Sequence, residues 1–215
     1  MLPVPAPMSS KLVLVAVALT LWASPALAED TAWDRHPVAV YAVGSVPGGP
    51  AGMLGAELEL SPFSRLGATL GVGIGLNSDI DGWRALPRYA VAIGCRAWQA
   101  QRDDDGGAAG FWLSGSTGHY YDAEFTIESG VADKMYEIPR AFWIGVAFVG
   151  ERRYQSGLSL KGAVGLEFLA NSADARCYAR EHGSSTLDRI SCDDVNRFTL
   201  SPIFPAVSVS LGYAF

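Results

Sequence analysis

The sequence predicts an all-β fold, an eight-stranded antiparallel up-and-down transmembrane β-barrel. Three observations carry that expectation. Of 215 residues, 49% are hydrophobic, only 18% are charged and 24 are glycine; a glycine inside a helix costs about 1 kcal/mol, so such a chain is a poor helix former. Beyond residue 28 the apolar residues recur with period two, as in strands, and no run approaches the ~20 residues of a spanning helix. Finally, the alternation sorts residues into two faces, large aliphatics on one and mostly Gly, Ala and Ser on the other. High apolar content with low charge density also excludes disorder. A net charge of −6 offers no general attraction for phosphate, so no nucleic-acid partner is expected.

Residues 1–28 read as a signal peptide that lies outside the fold. Lys11 is its only charge, residues 12–23 are its apolar core, Pro25 breaks the helix, and Ala26-Leu27-Ala28 is a small-x-small cleavage pattern. No Cys follows the apolar core to accept a lipid anchor. The mature domain is then 29–215, one charge more negative through loss of Lys11. Its strands follow in order. Residues 38–46 alternate ambiguously. In 54–60, Leu54, Ala56, Leu58 and Leu60 oppose Gly55, Glu57 and Glu59. In 66–76, Leu66, Ala68, Leu70, Val72, Ile74 and Leu76 oppose Gly67, Thr69, Gly71, Gly73 and Gly75. Residues 89–97 place Tyr89, Val91, Ile93 and Cys95 together, and 111–121 is again ambiguous. In 142–149, Phe142, Ile144, Val146 and Phe148 oppose Trp143, Gly145, Ala147 and Val149. In 158–168, Leu158, Leu160, Val164, Leu166 and Phe168 oppose Ser159, Lys161, Ala163, Gly165 and Glu167. The last strand, 207–215, sets Val207, Val209, Leu211, Tyr213 and Phe215 against Ser208, Ser210, Gly212 and Ala214.

The connections are 47–51, 61–64, 77–87, 99–109, 122–139, 150–156 and 170–202. None holds a helical crossover, so neighbouring strands are antiparallel. Within 122–139, Phe125 and Ile127 are answered by Met135, Tyr136 and Ile138, which predicts a hairpin rising from the rim. A small-residue face fits a crowded barrel interior. The aliphatic face then points outward, where only lipid tolerates it, and barrel closure satisfies the backbone without water. A soluble periplasmic sandwich or lipocalin-like barrel has the same alternation with the opposite orientation. Tyr89, Trp98, Phe111, Trp112, Phe142, Tyr213 and Phe215, near strand ends, suit aromatic girdles.

The signal peptide, the eight alternating strands and the ending Ser210-Leu211-Gly212-Tyr213-Ala214-Phe215 resemble the small bacterial outer-membrane barrels of the OmpA/OmpX/OmpW-like kind. Leu211, Tyr213 and Phe215 look like the C-terminal signal read by the barrel-assembly machinery. The resemblance implies a Gram-negative source, location in the cell outer membrane, contact with outer-membrane lipid and lipopolysaccharide, and both termini in the periplasm. The connections after odd strands then lie outside the cell.

With that topology, Glu57, Glu59, Arg96 and Lys161 fall in the lower lumen and Glu167 and Arg88 near its upper end. Charges in a narrow interior must pair or meet water, so a Glu57/Glu59–Arg96/Lys161 network is expected to plug the barrel. Export permits disulfides. Cys177 and Cys192 flank a polar stretch and are expected to pair, whereas Cys95 sits in an apolar run as a free, inert residue. The expected role is structural or surface-interacting, with loops 122–139 and 170–202 offering a surface to an extracellular ligand. The alternative is a small channel for ions or apolar solutes. An enzyme is not expected, and neither is a cofactor or a metal. Asn77-Ser78-Asp79-Ile80-Asp81-Gly82 imitates a calcium loop but carries Arg88 where a bidentate Glu belongs. Asp103-Asp104-Asp105 reads as a solvated turn. A lipid hydrolase would need His119, beside Thr117 and near Asp122 or Glu124, to face an activated hydroxyl.

Overall fold

The computed structural model describes residues 31–79, 81–102, 105–125, 132–180, 186–192 and 203–215; the expected signal peptide lies outside them. A single helical turn, α1 (Ala32–Arg35), precedes ten strands: β1 (Val38–Gly49), β2 (Gly52–Phe63), β3 (Leu66–Asp79), β4 (Gly82–Arg102), β5 (Asp105–Phe125), β6 (Ala132–Arg153), β7 (Leu158–Leu169), β8 (Arg176–Ala179), β9 (Asp188–Ile190) and β10 (Ile203–Ala214). A 3-10 turn at Ser172–Asp174 lies between β7 and β8.

From β1 to β7 each strand pairs antiparallel with the next, and β10 pairs with both β7 and β1, closing an eight-stranded ring. The register aligns the apolar positions: Leu58 faces Val40 on one side and Leu70 on the other. Period two then places most of the large aliphatics on the exterior. Leu70, Val72, Ile74 and Leu76 are 41–57% exposed along the outside of β3, while Thr69, on its inner face, is buried. The two ambiguous strands resolve in the same way. Ala39, Tyr41, Val43 and Ser45 of β1 point inward, as do Trp112 and Ser116 of β5.

Strands β4, β5 and β6 run to 21, 21 and 22 residues, about twice the 9–11 that span a bilayer. Strand pairing therefore extends into the expected connections 77–87, 99–109 and 150–156, with Asp79 opposite Gly82, Arg102 opposite Asp105 and Arg153 opposite Ser159. Ladder hydrogen bonds continue past the apolar zone, where polar residues such as Arg84 and Arg102 end the hydrophobic alternation but not the pairing. The rim hairpin expected in 122–139 is built by β5 and β6, with Ala123 opposite Met135; Ile127 lies outside the described residues. Outside the ring, β8 pairs with the risen part of β6 at Lys134–Glu137, and β9 pairs with β8.

Two further features depart from the sequence expectation. Trp112 belongs to no girdle: it follows the outward Phe111 by one residue and so points into the lumen, 7% exposed. There its ring fills the space over Gly67 and Gly94, where a Cβ would collide with it. The other addition is α1, held by a capping box between Thr31 and Asp34. That turn carries Trp33 into the lower end of the barrel, beside the chain terminus, and leaves it 1% exposed. No helix among the described residues is long and apolar enough to cross a membrane.

Candidate functional site

The lumen is filled in tiers. In the lowest, Arg96 of β4 donates from Nη2 to Glu59 Oε1 (2.5 Å) and from Nε to Glu151 Oε2 (3.0 Å). Arg153 of β6 donates to the same two carboxylates, at 2.5 and 2.9 Å. Lys161 of β7 reaches Glu57 at 2.6 Å and Glu59 at 3.5 Å. Three cations thus face three anions in one connected cluster. Burial of charge demands such pairing, together with hydrogen bonds to the remaining lone pairs. Tyr41 supplies one, donating to Glu151 Oε1 at 2.9 Å, and Ser61 supplies another to Glu59 at 3.3 Å. Aromatic faces enclose the cations: Trp33 lies 5.2 Å from Arg96 and 5.7 Å from Arg153, and Tyr41 lies 4.5 Å from Lys161. Arg153 also donates to the His36 carbonyl, tying α1 to the cluster.

The structure therefore brings Glu57, Glu59, Arg96 and Lys161 together. It places Arg88 and Glu167 in a separate pair higher up. Glu151, Arg153 and Trp33 escaped the sequence reading. For the first two a signal existed: Trp143, Gly145, Ala147 and Val149 continue in phase to 151 and 153, residues read as turn. Trp33 had none, because a four-residue helix carries no periodicity.

In the middle tier the β1–β2 turn folds inward. Ala51 is buried and lies against β3, where Cβ atoms at Gly71 and Gly73 would meet its methyl group and carbonyl. Gly55 of β2 is crowded by the same turn, and Ser45 Oγ donates to the Gly52 carbonyl to hold it. Gly52 sits at φ +86°, a conformation that favours glycine.

The upper tier is floored by Arg88. Its Nη2 donates to Glu167 Oε2 at 2.9 Å and to Ser116 Oγ at 2.9 Å. Its guanidinium lies 4.1 Å from the Trp143 ring centre. Above the pair is a cavity of about 120 Å³ bordered by seven of the eight barrel strands. Tyr120, Trp143 and Phe204 make edge-to-face contacts there, and Tyr136, Ile138 and Cys177 extend this apolar cluster into the rim. Cys177 and Cys192 form a disulfide, with Cα atoms 5.1 Å apart, that staples the β8–β9 hairpin; Cys95 is free.

His119 Nε2 lies 2.7 Å from Glu137 Oε1 on the rim, and its ring stacks on Tyr121. Thr117 Oγ1 instead donates to the Ala141 carbonyl at 3.1 Å, so this hydroxyl and the imidazole have different partners. Asp122 accepts from Tyr136 at 3.3 Å; the side chain of Glu124 is outside the described set. Asn77 donates to the Gly75 carbonyl at 3.3 Å in the β3–β4 hairpin. Asp105 accepts from the Gln155 amide at 3.1 Å, while Asp103 and Asp104 are outside the described residues. Among those residues no group of three or more His, Cys, Asp or Glu could hold a metal. In the β3–β4 turn, Asp81 accepts from Arg180 at 2.8 Å, and this bond holds its carboxyl below the usual carboxylate range. Leu211, Tyr213 and Phe215 line the exterior of β10, all more than half exposed.

These features define a class, the closed eight-stranded up-and-down barrel with an apolar exterior and an ionised interior. No family model matches the chain, and no curated protein does. Among solved structures it is similar to CarO2 of Acinetobacter baumannii, at 16% identity over 84% of this chain and 99% of that chain, with a TM-score of 0.43. It is also similar to a major outer membrane protein from Thermus thermophilus, at 14% identity over 84% and 100% of the two chains, with a TM-score of 0.39.

Proposed function

We propose that this chain is an outer-membrane β-barrel protein of a Gram-negative bacterium, with a structural or surface-interaction role and a plugged lumen. One observation carries the reading: the large aliphatic side chains lie outside and the ionised ones inside. Val72, Val91, Leu113, Val164 and Val209 are all at least half exposed on the exterior, while Glu59, Arg96 and Arg153 are at most 2% exposed within. In water this arrangement is inverted; in a bilayer it is the favourable one. Lipid and lipopolysaccharide then surround the ring, and Leu211, Tyr213 and Phe215 offer the assembly machinery its signal. The β5–β6 hairpin and the stapled β8–β9 segment, parts of loops 122–139 and 170–202, form the surface available to an extracellular ligand.

Fractionation tests the location: heat-modifiable migration and recovery in outer membranes are expected, and a soluble periplasmic protein overturns the reading. The second reading, a small channel for ions or apolar solutes, draws on the cavity at the upper mouth. Planar-bilayer recordings separate the two. Silence from both wild type and R96A removes the channel, and steady conductance from the wild type removes the plug.

A further inference from the structure

The upper cavity has the chemistry of a ligand site as well as the shape of one. Its walls are mostly apolar and aromatic, with Met53, Leu86, Trp143 and Phe204 among them, Asn77 and His119 add polar edges, and its floor is the Arg88–Glu167 pair. Glu167 is 3% exposed. Its Oε2 takes the bond from Arg88, while Oε1 is buried and receives no hydrogen bond from any group among the described residues. A buried carboxylate oxygen left in that state costs free energy. A donor arriving with a ligand relieves it.

Three properties of the site specify that ligand. Size is the first: an enclosed apolar cavity of about 150 Å³ holds one benzene ring, and this one, about 120 Å³ and open at its mouth, has no room for more than a single ring whose far edge lies in the mouth. Charge is the second. The floor is already a neutral ion pair; an added ammonium would sit beside Arg88 and an added carboxylate beside Glu167, each leaving one charge unbalanced in a place that water screens poorly. The third is wall geometry. Tyr120 meets Trp143 at 5.8 Å and Phe204 at 6.0 Å, both edge to face, and another ring extends such a cluster favourably. We propose that the cavity binds a neutral monocyclic aromatic molecule bearing one hydroxyl, a phenol, whose O–H donates to Glu167 Oε1. This site rests on the barrel's interior geometry and not on its location, so it stands or falls separately from the membrane reading.

The test uses the full barrel refolded in detergent micelles, titrated with 4-fluorophenol and followed by fluorine NMR. 4-Fluoroanisole, which has the same ring but no donor, is the control. Saturable binding of the phenol is expected, with the anisole at least ten-fold weaker. Glu167→Gln removes the charge that accepts the bond and should weaken the phenol to the level of the anisole. Because that variant also disturbs Arg88, Gly75→Leu provides a second arm. A Cβ at Gly75 meets only the Asn77 amide nitrogen, at 3.6 Å, so the larger side chain fits the backbone and fills the cavity; saturable binding should vanish while gel migration stays that of a folded barrel. Equal affinity for phenol and anisole, unsaturable uptake that matches partition into the micelle, or unchanged binding by Gly75→Leu overturns the proposal.

Discussion

Replacing Arg96 with alanine removes one of the two most connected side chains of the lower lumen among the described residues, Glu59 being the other. Arg96 bonds Glu59 at 2.5 Å, Glu151 and Ser61 at 3.0 Å, and the Ser64 carbonyl at 3.3 Å. Taking one partner from a buried ion pair costs about 3–5 kcal/mol, because it strands the other charge. Here the stranding is partial. Arg153 stays bonded to both Glu59 and Glu151, and Lys161 remains near Glu59, so each carboxylate keeps a cation. The lower end of the range applies, about 3 kcal/mol. Urea unfolding of the barrel in micelles, followed by tryptophan fluorescence, measures it, with Trp33 and Trp112 as reporters beside the site.

The double variant R96A/E59Q sharpens the assay. It removes one charge of each sign, leaving Arg153 and Lys161 against Glu57 and Glu151. Its loss should fall short of the sum of the two single losses by about 1 kcal/mol or more, the mark of direct coupling. An R96A unfolding free energy within about 0.5 kcal/mol of wild type, the level of an indifferent surface change, would refute the reasoning. So would strict additivity in the cycle. Either result would mean that water, not Arg96, carries the carboxylates.

Gly73→Val should abolish the folded gel band, since any Cβ there collides with main-chain carbonyls of Ala51 and Leu54, whereas Gly44→Ala, which meets nothing within 4 Å, should leave it intact. Trp33→Ala should cost about 3 kcal/mol in the same urea assay, the lower bound for losing a buried Trp; an unchanged midpoint would detach α1 from the plug. Cys192→Ser should expose the β8–β9 segment to protease without altering barrel migration, because the 15-residue span it closes contributes about 3 kcal/mol to local order only. Asp81 is lowered by its bond from Arg180, so the native state binds the proton less readily than the unfolded chain. That contribution is fully present above the unfolded Asp value near 3.9 and is lost as pH falls through the lower folded value. The amide-exchange protection factor at the β3–β4 turn, that is, exchange corrected for its intrinsic pH dependence, should therefore fall on acidification from pH 5 to about 3 in wild type and stay level in D81N.

Much of the ring was legible because a barrel wall has one rule, alternate residues in and out, and that rule survives in Leu66 to Leu76 or Leu158 to Phe168 without any tertiary knowledge. The charged positions on the inward phase, Glu57, Glu59, Arg96 and Lys161, could be placed at one height from strand direction alone. Legibility failed where the outer face leaves the apolar zone. Past Val149 the exterior residues are Gly150 and Arg152, so the apolar alternation disappears while Glu151 and Arg153 continue inward. Reading the inner phase through to the turn would have recovered both. Trp112 was misassigned for a simpler reason: side by side with Phe111, it shares a strand end but cannot share a face. The inward β1–β2 turn left only an indirect trace, the glycines opposite it.

Those glycines say something specific about the interior. If lumen glycines served only to narrow the barrel, a methyl group would be tolerated at most of them. It is not. Gly67 and Gly94 are occupied by Trp112, and Gly55, Gly71 and Gly73 by the inward turn or by the Glu57 stem. A water-filled pore needs no glycine at Gly67, Gly71 or Gly94, because water yields to a methyl group; at Gly55 and Gly73 a Cβ also meets the Val72 and Leu54 carbonyls of the paired strand. The small residues mark where other parts of the chain enter the lumen, and the long charged ones mark where nothing else does. The high glycine content of the chain is thus a consequence of a filled barrel. Widening this lumen takes removal of Trp112 and of the Pro50–Ala51 turn, not the replacement of its glycines.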